Sequence, residues 1–176
     1  MTRVCALALV AACGGSDPAS VVAHDACAPL TLHVAAPTAI EQTGITDALA
    51  LWRDHGLTVM TLREDAIAET NSPDAIDVRF EDAAETFHGM YDPPSASILI
   101  NRDLTTGHTP DPLAIVIAHE LGHVFGLVHI DPHERLSLMN ADNLTTPPTD
   151  GDQRALEALW GVCATSLAMP HDARHR

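Results

Sequence analysis

Lysine is absent from this 176-residue chain, whose fixed cations are nine arginines set against 24 aspartates and glutamates, a formal net charge of -15. A surface so short of positive charge cannot neutralise a run of phosphates, which excludes nucleic acid as a partner. The acidity otherwise bears on solubility and on encounter with cationic partners, not on fold. Aromatic residues are scarce at 3%, with a single tyrosine, Tyr91. No internal repeat is present. Val4 to Ala12 is an apolar run too short to span a bilayer as a helix, and no other segment is apolar enough to span one. What is present is a composition of 46% apolar and 19% charged residues, enough to bury one core in a chain of this length.

The N-terminus reads as an export signal. Met1-Thr2-Arg3 carries one positive charge, Val4 to Ala12 is the apolar stretch, and Val10-Ala11-Ala12 places small residues before Cys13. This pattern resembles a bacterial lipoprotein signal, which implies cleavage before Cys13, lipid on its sulfur, and anchoring to a lipid bilayer at an outer membrane or cell surface. An ordinary secretory signal with Cys13 incidental is the other reading. Cys5 lies in the signal, so Cys27 and Cys163 remain as an even pair in an oxidising compartment. The expected division is a signal over 1–12, a tether over 13–28, a folded domain over 29–165 and a disordered tail over 166–176 that includes His171 and His175.

Within the domain, Leu30 to Ala35 alternates as a strand does, and 40–55 has helical spacing with Gly44 as a weak point and Gly56 as a stop. Leu57 to Leu62 and Ile76 to Phe80 read as strands, Glu81 to Ser95 as an irregular stretch, and Ser97 to Asn101 as a short strand. Asp111-Pro112 opens a helix that is apolar nearly all round, runs through Phe125 and stops at Gly126. Thr149 or Asp150 caps a last helix that ends at Gly161.

The exceptions on the apolar helix carry the chemistry. His119 and His123 are four apart and project from one face, so both imidazoles can reach one ion. Glu120 is rotated by about 100° from His119, beside the ion without binding it, where a general base must sit. Gly126 lets the helix end and the chain swing back, so that His129 arrives from a second direction. Three ligands leave a fourth position open, the pattern of catalytic zinc.

The segment His119-Glu120-Leu121-Gly122-His123-Val124-Phe125-Gly126-Leu127-Val128-His129 resembles the motif of the metzincin metallopeptidases at every fixed position. The resemblance implies an α+β fold, a small mixed twisted sheet with an active-site helix and a C-terminal helix. It implies a zinc-dependent endopeptidase, working as a monomer on a peptide or protein substrate of the cell envelope or exterior, with Glu120 accepting a proton from zinc-activated water. It assigns Met139, in Ser137-Leu138-Met139-Asn140, to a turn flooring the site. It makes the strand Ser97, Ile98, Leu99, Ile100 the sheet edge on which substrate pairs, with residues around 138–146 walling the pocket. The last helix, ending in Trp160-Gly161, is similar to that of the matrixin branch. Some relatives cap the zinc with a propeptide cysteine, a role open to Cys27. The sequence departs from the family in having no tyrosine after Met139 to stabilise an oxyanion. His88, Asp92, Asp103 and His108 are candidates for a structural Ca2+ or second Zn2+, though solvated loop residues are the simpler account. A non-catalytic, zinc-stabilised surface binding protein on the same scaffold is the alternative to an enzyme.

Overall fold

The computed structural model describes residues 24–57, 60–63, 75–105 and 111–163. The lipidation candidate Cys13, together with His108, His171 and His175, lies outside the described residues. Among the described residues, five strands and three α-helices follow in the order β1 (Leu30–Val34), α1 (Ala39–Arg53), β2 (Met60–Arg63), β3 (Ala75–Glu81), β4 (Gly89–Asp92), β5 (Ser97–Asn101), α2 (Pro112–Val124) and α3 (Asp150–Trp160). The fold is mixed α+β, with one small open sheet in the order β2-β1-β3-β5-β4. The first three pairings are parallel, and β4 alone runs antiparallel, against β5.

Alternation makes β1 one-sided: Leu30, Leu32 and Val34 are buried while Thr31 and His33 are less so. A parallel neighbour cannot be reached by a tight turn, so the chain crosses over through α1 before β2. Thr38 and Glu41 form a reciprocal capping box at the start of α1. Gly44, a weak point for a helix, has a packing reason. A Cβ there would lie 2.5 Å from Leu113 Cδ2, so the glycine lets α1 approach α2 closely. Asp111 caps α2 through Leu113 N, with Pro112 at the first position. Trp52 is fully buried between these helices, and its Nε1 donates to Ala118 O at 2.9 Å. This bond locks the helix that carries the motif histidines to the core.

Two expectations need correction. The stretch read as irregular contains β4, joined to β5 through a 3-10 turn at Pro93–Ser95 and a left-handed Ala96 (φ 49°). At four residues, with Met90 exposed and the rest half-buried, β4 has no alternation to announce it. Because β4 is there, β5 is not an edge. It pairs with β3 on one side and β4 on the other, Ser97, Ile98 and Ile100 are buried and Leu99 is half-buried. Its backbone is committed to neighbours and cannot take an added peptide strand; the terminal strand is β4.

Cys27 and Cys163 are joined by a disulfide spanning 136 residues. The Cys27 sulfur is therefore committed to Cys163 rather than available to cap a metal. The bridge ties the entry to the sheet to the residues just past α3. By the chain-entropy argument, replacing both cysteines by serine should lower stability by about 3–5 kcal/mol, read as a reduced urea midpoint with a steeper slope, because the unbridged chain unfolds to a more exposed ensemble. An unchanged midpoint would mean that the bridge does not restrict the unfolded chain.

Candidate metal centre

The three motif histidines converge. His119 Nε2 and His123 Nε2 lie 3.1 and 3.2 Å from His129 Nε2, and His119, His123 and His129 can offer ligand atoms to one ion. Such separations match nitrogens bound to one ion at about 2.0–2.1 Å with angles near roughly 100°.

The back of two rings explains why their lone pairs face inward. His119 Nδ1 lies 2.7 Å from Leu138 O, and His123 Nδ1 lies 2.9 Å from Leu127 O. A carbonyl only accepts, so each Nδ1 must carry the proton and each Nε2 must present a lone pair. One proton on His129 could not satisfy both, whereas a cation at the centre satisfies all three. The donor set therefore fits a divalent ion such as zinc, bound by neutral imidazoles with a position left open.

Local backbone geometry builds this arrangement. Gly126 has φ 91°, and beyond it Leu127 N donates back to Gly122 O at 2.9 Å. That reversal sets the Leu127 carbonyl behind His123 and sends the chain toward His129. A residue with a Cβ would be strained at Gly126.

The turn holding Met139 is fixed from α3. Asp152 is fully buried, and its carboxylate accepts from Ser137 Oγ, from Leu138 N at 3.0 Å, and from Thr149 N and Oγ1 at 2.9 and 2.8 Å. Arg135 Nη1 stands 3.4 Å from the same group. The hydrogen bonds from Ser137, Leu138 and Thr149 hold the Asp152 carboxyl below its ordinary pKa in spite of its burial. The clamp fixes Leu138, whose carbonyl orients His119 and also accepts from Asn143 Nδ2 at 3.0 Å. Met139 itself is fully buried, and a Cβ on Gly122 would fall on its sulfur. The thioether therefore packs under the turn of α2 between His119 and His123.

Sequence reasoning missed Asp152 and Trp52. For Asp152 a signal existed, since Thr149-x-x-Asp152 forms a reciprocal capping box. The long-range bond from Trp52 to Ala118 left no mark in the sequence.

Glu120 is buried beside the triad. Burial pushes its carboxyl up to about 7, partly opposed by the Tyr91 backbone N–H that donates to it. Burial also pushes His119 down to about 4 and lowers His123. Two cavities flank Glu120. The larger, of 670 Å³, reaches His123, His129, β4 and the end of α3; the smaller, of 170 Å³, reaches His119, Val116 and Ala141 to Asn143. At Gly89 a Cβ would sit 2.8 Å from Val116 and 3.2 Å from Glu120 Oε1, so β4 lies directly against the carboxylate. Among the described residues, His88, Asp92 and Asp103 do not form a second group able to share an ion. Neither family models nor curated proteins gave a match to this chain.

Two outcomes follow from this geometry. Zinc should raise the melting temperature of chelator-treated protein, by about 2.7 kcal/mol of stability at a hundredfold excess over Kd, and His119→Ala should abolish the shift. A melting temperature indifferent to zinc would show that the rings do not share an ion. The second concerns pH in chelator. Glu120 has its folded pKa raised, so the folded state is penalised as pH rises from about 4.5 to about 7. Glu120→Gln removes that penalty and should be more stable than the parent at pH 8, by on the order of 3 kcal/mol, the gap closing by about pH 4.5. His119 works in the opposite sense: its folded pKa is lowered, so the stability it contributes is lost as pH falls from 6.5 toward about 4. The Gln variant should therefore be the more acid-labile of the two in that window. Parallel pH profiles of the two proteins would contradict the assignment.

Proposed function

We propose that this chain is a zinc-dependent endopeptidase of metzincin-like, matrixin-like construction, exported and lipid-anchored through Cys13. The observation that carries the reading is the juxtaposition of three converging Nε2 atoms, a buried carboxylate next to them on the same helix, and the terminal strand β4 alongside. Met139 beneath the ligand turn supports the family reading. The Cys27–Cys163 bridge supports an oxidising compartment.

A zinc ion held by His119, His123 and His129 supplies Lewis acidity, making a water easier to deprotonate and a carbonyl easier to attack. The chain's own residues do the remainder. β4 offers edge backbone to an extended peptide, which pairs antiparallel and brings its scissile carbonyl over α2. Glu120, with a pKa near neutrality, takes the proton from the attacking water as the new carbon–oxygen bond forms. It then delivers that proton to the amine as the carbon–nitrogen bond breaks. His119 and His123 stay neutral throughout, because burial lowers their pKa and their Nδ1 protons are held by Leu138 O and Leu127 O.

Glu120→Gln should lower kcat by about 10²–10⁴ with the zinc content unchanged. Peptide hydrolysis at the parental rate would remove Glu120 from this role. Absence of hydrolysis in the zinc-loaded parent across a diverse peptide library would favour a non-catalytic binding protein on the same scaffold.

A further inference from the structure

We propose that the larger cavity is a subsite for a bulky apolar side chain on the N-terminal side of the scissile bond, and that this side dominates the choice of peptide. The inference rests on the peptidase reading and adds the substrate class.

Direction comes from the edge strand. β4 runs from Gly89 to Asp92, so a peptide lying antiparallel to it enters at the Asp92 end and leaves past Gly89. The larger cavity is lined from Gly89 through Met90 and Tyr91 to Pro93, and the smaller from Thr86 to Gly89, so the two meet at Gly89 and extend from it in opposite directions. Residues before the scissile bond therefore meet the larger cavity, and residues after it meet the smaller.

Size and chemistry separate the two. The larger holds 670 Å³, within the range of cavities that enclose sizeable organic groups; the smaller holds 170 Å³. Asn143 borders the smaller cavity with its side chain fully engaged: Nδ2 donates to Leu138 O and Thr146 O, and Oδ1 accepts from Thr145 N and Thr146 N. That wall is pinned and does not readily widen. Around the larger cavity the surface is apolar where water would favour polar groups. Met90 is 47% exposed, Val128 73% and Leu159 54%; they come from three separate segments, yet all line this one cavity with Trp160. Converging exposed apolar side chains mark a binding surface, whereas a single one would not.

The wall is also rigid. Trp160 Nε1 donates to Phe125 O at 2.8 Å, which fixes the indole against the end of α2. The Cys163 bridge lies three residues further on. The subsite is thus largely preformed, and an apolar side chain entering it would lose little to ordering the protein.

Trp160 provides the readout, since the other tryptophan, Trp52, is fully buried in the core. Zinc-loaded Glu120→Gln is titrated with acetylated tripeptides ending in phenylalanine or in glycine, and tryptophan emission is followed. The phenylalanine peptide should saturate at a concentration roughly tenfold lower or better. Trp160→Phe should remove the signal. Leu159→Asp and Val128→Asp, both at exposed positions and so tolerated by the fold, should each erase the difference between peptides. Ile40→Asp, at an exposed position on α1 lining neither cavity, should retain it. Equal titrations for the two peptides, or a phenylalanine preference that survives both Asp variants, would overturn the subsite. Binding needs no turnover, so the two readings fail separately. A protein that binds the phenylalanine peptide but cleaves nothing keeps the subsite and loses the peptidase. One that cleaves peptides with a preference only after the scissile bond keeps the peptidase and loses the subsite.

Discussion

Two backbone carbonyls set the chemistry of this molecule. Leu138 O and Leu127 O each take the Nδ1 proton of a motif histidine, which forces the opposite nitrogens to present lone pairs to one point. Without those acceptors each imidazole could choose its tautomer, and the convergence of rings would not define a site for a cation. Much of the surrounding structure holds those carbonyls in place. Gly126 turns the chain so that Leu127 faces His123, and Asp152 reaches from α3 to clamp the Ser137–Leu138 turn.

The same arrangement links fold to reactivity. The helix bearing the ligands is buried nearly all round, tied by Trp52 to α1 and packed against β4 at Gly89. Burial lowers the pKa of His119 and His123 and raises Glu120 toward neutral pH, so one physical cause acts on the converging imidazoles and on the carboxyl beside them. The cost is a carboxyl group that disfavours its own charge in the absence of a cation. A bound ion would offset that cost, coupling occupancy of the site to stability of the domain.

Much of this was legible in the sequence. The helical spacing of His119 and His123, the glycine before His129 and the Asp111-Pro112 start are local signals, and local signals survive without an alignment. Counting left Cys27 and Cys163 as a candidate pair with a metal-capping role for Cys27 still open, and the structure joins the two. The edge strand was misplaced, because the position of β5 depends on a partner of four residues, Gly89 to Asp92, that has neither alternation nor β-branched residues. Edge or centre is a property of the whole sheet, so no reading of Ser97 to Ile100 alone could settle it. The outer support of the site was illegible for a similar reason. Trp52 acts through a bond to a residue 66 positions away with no fixed spacing to betray it, and at Asp152 the capping-box spacing marks a helix start but not the bond to Leu138, 14 positions upstream.

The most direct measurement is X-ray absorption at the zinc edge on the reconstituted domain. The account predicts a first shell of three imidazole nitrogens at about 2.0–2.1 Å with one further light ligand, and a loss of imidazole scattering in His129→Ala. A shell containing sulfur, or six oxygens with no imidazole contribution, would contradict it.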